Sequence, residues 1–570
     1  MYTVLVAILY ALLFYYGLGR LGLMDNNEGL YAEIPREMLV TGDFIIPHLN
    51  GVPYIEKPPL LYWMTAASYL VFGFNEFAAR FIPATSGLLT GLLLMHFLII
   101  KARPSQAILT GLIWVTSLGV TIFARVIFFD MLMTFMLTWA MTSFFLWFDK
   151  RRKKYLYNAY IAMALGILTK GLLAFILPTG IAILFLVLSF DSNTSHSADR
   201  WSYLKSEAKL TLDPLCIGVF LIIVLPWHLI AFYRDNNFLW FYFVNEHILR
   251  FIGHRVPHDY YRGPPYFYVT RLLAYLLPWT LFLLVFIWPR SSMDILENQT
   301  IDRRLKIFLW VWFAVFMSFF TISEAKANYY IVTAFPPVFM LVADGILARA
   351  RLFRAYIFPA IFSFQVIFLI ATIWILTAGV VPVLHPYKDM IPRWLMWPIS
   401  ISGLTATCCA WGYRRRTSFF AAAVGIAIMY ASLIVTFVSV LPVFEKEIST
   451  KQILLDIRNQ APSSPLYLFR RFEGYLASAV FYNKEPIPII DSCSNDLLYG
   501  QTLGTFGHIF SNSRDVDKQI NFNEAFVLVV KKDQENFLDS FGQRYILWRD
   551  YGRVQVYTTP HSLLSIEDDD

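Results

Sequence analysis

The sequence is poor in charge and in cysteine. Only 15% of its 570 residues are charged, whereas 57% are hydrophobic and 17% are aromatic. Such a composition has too little polar surface to cover a soluble globule, so it predicts an integral membrane protein. Of the four cysteines, Cys216, Cys408 and Cys409 lie in apolar segments and only Cys493 lies in the polar C-terminal region. This distribution excludes a disulfide framework and a cysteine-based metal site there.

Several other signals are absent. The sequence has no G-x-x-x-x-G-K-[ST], H-E-x-x-H or G-x-S-x-G motif, which argues against nucleotide hydrolysis, zinc proteolysis and α/β-hydrolase chemistry. The apolar stretch 4–19 lacks a basic n-region and a small-residue cleavage site, so we interpret it as an uncleaved first helix. The net charge of +7 comes from short basic clusters between apolar runs, which is typical of cytoplasmic loops. No nucleic-acid partner is predicted.

Apolar runs and basic clusters together predict the topology. About thirteen runs are long enough to be candidate spans, near 2–19, 81–100, 106–123, 128–148, 157–168, 172–190, 212–232, 266–288, 307–322, 329–348, 355–382, 394–412 and 418–442. With a cytoplasmic N-terminus, every strongly basic short connection falls in the cytoplasm. The long connections 20–80 and 233–265 and the polar region after residue 442 then lie outside.

The fold class predicted is a mostly α polytopic membrane protein with a small soluble α/β domain. Residues 1–442 form the membrane domain, and residues 443–570 form the periplasmic domain. In that second region the helix-like stretches 451–459 and 474–483 alternate with the apolar runs 465–469, 486–490, 526–530 and 554–558. This alternation is typical of a small α/β domain.

The predicted external connections collect most of the unusual polar residues. Charges near membrane depth are costly unless they are paired or functional, so this gathering favours a site at the outer face over simple interfacial anchoring. Five cations suit binding of a phosphate or diphosphate: Lys57, Lys170, Arg250, Arg255 and Lys326. Lys326 has the alternative role of a residue that reaches lipid headgroups. The carboxylates in these connections are candidates for proton transfer or for orienting an acceptor.

Several stretches resemble one known family. NEGLYAEIPREMLVTGDFIIPHLNGVPYIEKPPLLYW (27–63) and NEFAARFIPA (75–84) are similar to the first external loop of bacterial GT-C glycosyltransferases. These are relatives of protein O-mannosyltransferases and include the aminoarabinose lipid A transferase. Further similar stretches are ARVIFFDMLMTF, LTKGLLAFILP, LPWHLIAFY, NEHILRF and SEAKANYYIVTAFPP, so the resemblance covers nearly the whole chain.

The resemblance implies an activity and a set of roles. Such enzymes transfer a sugar from a polyprenyl phosphate in one inverting displacement, here at the bacterial inner membrane and onto lipid A or another glycolipid. Lys57, assisted by Arg250, would hold the donor phosphate, Tyr330 would line the donor pocket, and Asp130 would line the site. Glu56 and His385 would match a metal-contacting pair, so a divalent metal is a candidate cofactor, and the sequence does not determine whether one is required. Protein O-glycosylation on the same scaffold and lipid-phosphate transport or flipping are the alternatives.

One departure from the family concerns the catalytic acid. Asn27 stands where the aminoarabinose transferases have the favoured aspartate, and Leu30 stands where they have an arginine. Because asparagine is not a base, the acid role passes to Glu28 or Asp25, or is unnecessary if the acceptor is itself a phosphate.

The same stretch also has structural interpretations. Asn27 is alternatively the N-cap of a helix that begins at Glu28, and Asp25 would share a helical face with Glu28. Glu33 is predicted to pair with Arg36 or Glu37 on the helix surface.

Overall fold

The structure is a computed structural model that describes residues 10–190, 199–258, 260–286, 302–348, 430, 434–435, 437–514 and 525–559. His385, the predicted spans at 355–382 and 394–412, and most of the span at 418–442 lie outside these residues.

The chain up to residue 348 is mostly helical. Its elements are α1 Asn27–Thr41, β1 His48–Leu49, β2 Val52–Pro53, α2 Leu60–Phe72, α3 Glu76–Ile100, α4 Pro104–Val115, α5 Leu118–Phe123, α6 Phe129–Lys150, α7 Lys153–Lys170, α8 Leu173–Ser189, α9 Arg200–Thr211, α10 Pro214–Arg234, α11 Arg250–Ile252, β3 Tyr261–Arg262, α12 Phe267–Tyr275, α13 Arg303–Ile322, β4 Ala325–Lys326 and α14 Phe335–Ala348. A π-helix covers Trp240–Leu249, and 3₁₀ helices cover Trp279–Phe286 and Tyr330–Ala334.

The C-terminal region contains a six-stranded mixed sheet with short helices. Its elements are α15 Glu445–Ile448, α16 Lys451–Gln460, β5 Leu466–Phe469, α17 Ala479–Asn483, β6 Ile489–Ile490, α18 Leu498–Thr502, β7 Phe510–Ser511, β8 Phe526–Val530, α19 Gln534–Phe541, β9 Ile546–Asp550 and β10 Val554–Thr558, with 3₁₀ helices at Leu441–Phe444, Lys531–Asp533 and Gly542–Arg544. The strand order is β7-β6-β5-β8-β10-β9. Strand β6 is parallel to both β5 and β7, and β5 is also parallel to β8. Strand β10 is antiparallel to both β8 and β9.

The chain divides into two compact units. Unit 1 comprises Met1–Leu18, Arg80–Arg255 and Tyr260–Val440. Unit 2 comprises Gly19–Ala79, Val256–Asp259 and Leu441–Asp570. The first long loop and the polar C-terminal region therefore belong to the same unit, although they are far apart in sequence.

Unit 1 contains long apolar helices, as the composition predicts. Within the described residues, five helical stretches are long and apolar enough to cross a membrane: Glu76–Ile100, Phe129–Lys150, Pro214–Arg234, Arg303–Ile322 and Tyr330–Ala348. The first of these begins in unit 2 and continues into unit 1. The protein is thus a polytopic membrane protein, with a core that includes the buried indoles of Trp114, Trp279 and Trp312.

Two of the predicted spans are interrupted. The span at 106–123 breaks between α4 and α5, and the span at 266–288 breaks between α12 and the following 3₁₀ helix. The two breaks satisfy each other's polar groups, because the Leu118 N–H donates to the Leu277 carbonyl at 2.9 Å and the Trp279 indole N–H donates to Thr116 Oγ at 2.8 Å. Such local pairing is what permits irregular backbone within apolar surroundings.

In unit 2, α1 begins one residue earlier than predicted. The N-cap is Asn26, whose side chain accepts a hydrogen bond from the Glu28 N–H at 2.7 Å, so the prediction of Asn27 as the cap was wrong. The helix ends at Gly42, which has a φ of 75° and donates its N–H to the Met38 carbonyl. The left-handed conformation at this position favours glycine.

The charges on α1 are buried, which corrects the prediction of surface ion pairs. Arg36 does pair with Glu33, at 2.6 and 2.7 Å, but the two residues are only 4% and 0% exposed. Glu37 is also buried, and it accepts the Gly51 N–H at 3.2 Å. Burial raises the pKa of Glu33 and of Glu37, and the Glu33 carboxylate raises the pKa of Glu37 further.

Candidate functional site

Three of the predicted site residues meet in unit 1. The Lys170 ammonium at the end of α7 donates to Asp130 in the first turn of α6. It also lies 4.3 Å from the ring centroid of Tyr330 and 5.4 Å from that of Tyr329, within the range of cation–π attraction. The Asp130 side chain is 2% exposed and that of Lys170 is 12% exposed, so this pair is largely shielded from solvent.

The break after Lys170 depends on Gly171. This residue ends α7 with a φ of 82°, a conformation that L side chains rarely adopt. A Cβ there would lie 2.0 Å from His247 Nε2, and the same nitrogen accepts the Leu172 N–H at 3.3 Å. The π-helical segment that carries His247 therefore packs directly against the segment that carries Lys170.

Glu246, on that π-helical segment, binds two arginines. Arg250 donates to its Oε2 at 2.9 Å, and Arg255 donates to its Oε1. The side chains of Glu246 and Arg255 are 2% and 1% exposed, whereas that of Arg250 is 23% exposed. These three residues together carry a net charge of plus one, and Arg250 is the most exposed of them.

Lys326 lies on the short strand β4, which pairs with β3. Its ammonium donates to the carbonyls of Thr321 and Ser323, both at 2.8 Å, and the residue is 8% exposed. Burial lowers the pKa of Lys326, an effect that Glu324 opposes. The side chain is turned into the protein, so it does not extend to lipid headgroups. Because the Glu324 N–H donates to the Phe251 carbonyl at 3.1 Å, this segment is also joined to the one that carries Arg250.

Arg271, on α12, was missed by the sequence reasoning. Its Nε donates to Asn328 Oδ1 at 3.1 Å, one Nη donates to Thr270 Oγ1 at 3.1 Å, and the guanidinium lies 4.1 Å from the Phe267 ring centroid. Among the described residues it contacts no carboxylate. An arginine within the apolar run 266–288 is by itself a signal of a functional position, and that signal could have identified it.

Asp25, a predicted acid, lies in unit 2 and is held by the C-terminal region. Its Oδ1 accepts from the Ser478 N–H at 2.8 Å and from the Ser478 hydroxyl at 2.6 Å, while Oδ2 accepts from Arg553. Burial raises the pKa of Asp25, although Arg553 and Ser478 oppose this. Because Asp25 precedes the N-cap of α1, it does not share a helical face with Glu28 as predicted. These contacts give Asp25 a structural role.

Glu28 and Asn27 occupy the first turn of α1. Glu28 is fully buried, and its Oε2 accepts the Met24 N–H at 3.0 Å across the start of the helix. Asn27 is the first helical residue and is partly exposed. A carboxylate at a helix N-terminus is stabilised in its charged form by the helix dipole.

Glu56 and Lys57 lie next to the N-terminus of α2, whose N-cap is Pro59. The Tyr54 hydroxyl donates to Glu56 Oε2 at 3.2 Å, and Lys57 Nζ lies 3.7 Å from the same oxygen. The two prolines that follow Lys57 restrict the backbone at the point where the lysine leaves the loop.

The residues that the structure describes do not fit a metal centre. Among them, no group of three or more His, Cys, Asp or Glu side chains is arranged to hold a metal ion. Glu56 is the one described member of the predicted metal pair, and its carboxylate is already bound by Tyr54 and approached by Lys57. We therefore derive no step through a metal.

Comparisons with known proteins identify relatives of the chain. Residues 1–243 match the family described as dolichyl-phosphate-mannose-protein mannosyltransferase. The undecaprenyl phosphate-alpha-4-amino-4-deoxy-L-arabinose arabinosyl transferase 2 of Pseudomonas fluorescens (strain Pf0-1) is 30% identical over 346 residues, which cover 59% of this chain but only 58% of that protein. The corresponding transferase of Serratia proteamaculans (strain 568) is 29% identical over 417 residues, covering 71% of this chain and 69% of the relative.

A solved structure gives the fold. ArnT from Cupriavidus metallidurans, crystallised with undecaprenyl phosphate, has a TM-score of 0.78 at 21% identity, and the match covers 98% of both chains. The protein is therefore a polytopic membrane protein with the fold of that structure. Its sequence is similar to the mannosyltransferase family over residues 1–243 and to the aminoarabinose transferases, which confirms the resemblance stated from the sequence.

Proposed function

We propose that the protein is an integral-membrane glycosyltransferase that moves a sugar from a polyprenyl-phosphate donor to an acceptor at the outer face of the bacterial inner membrane. The acceptor is lipid A or another glycolipid. The curated relatives named above are undecaprenyl phosphate-aminoarabinose transferases, and the similar ArnT structure holds undecaprenyl phosphate.

The observation that carries this proposal is the excess of positive charge in unit 1. Four largely buried cations and two buried carboxylates lie on the contacting segments described above: Lys170, Arg250, Arg255 and Lys326 with Asp130 and Glu246. Buried positive charge in excess is costly unless an anion compensates it. A lipid phosphate supplies that anion and leaves with the lipid when the sugar is transferred.

Individual residues then take the following roles. In unit 1, Arg250 binds the donor phosphate and Lys326 supports it. Lys57 is the cation of the first loop that the family resemblance assigns to the same phosphate. Lys170 is oriented by Asp130 and presents its charge beside the Tyr330 ring, which faces the donor. Glu28 is the carboxylate that remains for proton transfer, because Asp25 is bound by Ser478 and Arg553.

The topology belongs to the same proposal. The chain would cross the membrane about thirteen times, with the N-terminus in the cytoplasm and residues 443–570 forming a periplasmic α/β domain. The positive-inside distribution of the basic clusters supports this orientation.

The test is sugar transfer by purified protein in proteoliposomes, with undecaprenyl-phosphate aminoarabinose as donor and lipid A as acceptor. Lys57→Ala should abolish transfer because the resemblance assigns Lys57 to the donor phosphate, and membrane insertion should be unchanged. Lys153→Ala is the matched control, since Lys153 is 72% exposed and pairs with Asp213 at 2.9 Å. Full activity of Lys57→Ala would overturn the site assignment, and a wild-type protein with no transfer to lipid A would overturn this donor–acceptor pair.

A further inference from the structure

Arg271 is an arginine of unit 1 to which the proposed donor site assigns no role. Arg271 lies on α12 one turn after Tyr268, and the two residues face the segment that follows β4. The Tyr268 hydroxyl accepts the Ala327 N–H at 3.2 Å, and Arg271 donates to Asn328 at 3.1 Å. The guanidinium is therefore fixed beside the segment that carries Lys326.

The position of Arg271 leaves part of its guanidinium available. Its Nε and one Nη make hydrogen bonds, and the other Nη has no partner among the described residues. The side chain is partly exposed, and its stacking on Phe267 orients the planar group. An arginine held in this way offers two parallel N–H donors to a phosphate without further ordering.

The helix that carries Arg271 also has exposed apolar side chains. Val269 and Leu273 are 49% and 43% exposed, so the surface of α12 is apolar as well as charged. The Lys326 ammonium lies 5.9 Å from the ring centroid of Tyr268, which precedes Arg271 by one turn. A helix that has both apolar side chains and a guanidinium at its surface suits the binding of an amphiphile that carries a phosphate on its sugar headgroup.

We propose that Arg271, supported by Asn328, binds a phosphate monoester of the glycolipid acceptor and thereby orients it for transfer. This inference rests on the proposed function, because it names the binding residue for that reaction's acceptor. Arg271 acts on the acceptor, whereas Lys57 and Arg250 act on the donor. Loss of Arg271 should therefore weaken acceptor binding without weakening donor binding.

Binding experiments separate this proposal from the transfer reaction. The full chain is placed in phosphatidylcholine nanodiscs, and dissociation constants are measured for diphosphoryl lipid A, dephosphorylated lipid A, phosphatidylglycerol and undecaprenyl phosphate. Wild type is compared with Arg271→Ala, Arg271→Lys and the control Lys153→Ala. The elution profile and thermal midpoint of each variant check its folding.

Arg271→Ala should raise the dissociation constant for diphosphoryl lipid A by about tenfold or more, the effect of losing one charge-assisted pair. Arg271→Lys should retain part of the affinity, because lysine keeps the positive charge but lacks the parallel N–H donors of the guanidinium. Dephosphorylated lipid A and undecaprenyl phosphate should bind wild type and Arg271→Ala equally. In the transfer assay the KM for the acceptor should rise, while kcat and the KM for the donor stay the same.

Three results would overturn the proposal. An unchanged dissociation constant for diphosphoryl lipid A removes the site. An equal loss of phosphatidylglycerol binding identifies an ordinary boundary-lipid contact, and a loss of undecaprenyl phosphate binding assigns Arg271 to the donor. If wild type binds diphosphoryl lipid A through Arg271 but transfers no sugar to it, the proposed function fails while the binding site stands.

Discussion

The contact between Asp25 and Arg553 gives the sharpest prediction about stability. Asp25 is 4% exposed, and Asp25→Asn would keep the acceptor for Ser478 but remove the charge that faces Arg553. Stranding one member of a buried ion pair costs about 3–5 kcal/mol. The Arg553 side chain is 16% exposed, so water solvates part of its charge and the expected cost is about 2–3 kcal/mol.

Protease susceptibility of the first loop in urea measures this cost. With a slope of about 1–3 kcal/mol per molar urea, the midpoint for unit 2 should fall by roughly 0.7–3 M. Arg549→Ala is the matched control, since Arg549 forms an exposed pair with Asp456 in the same unit and should lose at most about 1 kcal/mol. In the double variant Asp25→Asn/Arg553→Leu, the loss of stability should be smaller than the sum of the two single losses, because no unpaired Arg553 charge is left buried.

The reasoning is refuted if Asp25→Asn leaves the urea midpoint unchanged and abolishes sugar transfer. That outcome would show that Asp25 acts in the transfer reaction rather than in stability, and it would again be a candidate base. Strictly additive costs in the double variant would instead show that the two side chains do not interact.

Two further predictions concern carboxylates on α1. The pKa of Glu37 in the folded protein is raised well above 4.5, so the folded protein keeps a proton that the unfolded chain loses. Stability therefore falls as the pH rises above about 4.5. Glu37→Gln should remove this pH dependence and raise the urea midpoint relative to wild type at pH 8, and parallel pH profiles of the two proteins would contradict the assignment. Glu28→Gln should reduce kcat for transfer to lipid A more than Asn27→Ala does, because only Glu28 carries a carboxylate; equal and small effects would show that no base is needed.

In the C-terminal region, the sequence predicted the bounds of a strand best where polar residues mark its ends. Phe526–Val530 and Val554–Thr558 have the predicted bounds and are fully buried. A charged residue marks one end of each strand, since Lys531 follows the first and Arg553 precedes the second. The run 486–490 shortened to Ile489–Ile490, since Pro486 and Pro488 have no N–H for the ladder. Asp25, Asn26 and Asn27 are three successive residues of capping type at the start of α1, which is why the predicted N-cap was displaced by one residue.

The breaks within the apolar runs were not predictable in the same way. Pro278 locally indicates the second break, but no local signal indicates that the segments at Thr116 and Leu277 would pair with each other. Likewise, the sequence predicted Asp130, Lys170 and Tyr330 as site residues, but nothing local indicated that Asp25 would be bound by Ser478 and Arg553. A single sequence shows which side chains are costly to leave unpaired, but does not show which distant residue pairs with each.

The distance along the chain between the partners in unit 2 has a consequence for synthesis. Asp25 and Arg553 are 528 residues apart. At about 5–20 residues per second, the ribosome needs roughly half a minute to two minutes to make the second partner after the first. Asp25 must therefore wait for its partner while the helices of unit 1 are inserted, whereas Glu33 has its partner Arg36 three residues away. A chain that stopped short of Arg553 would contain an intact first loop but no arginine to neutralise Asp25.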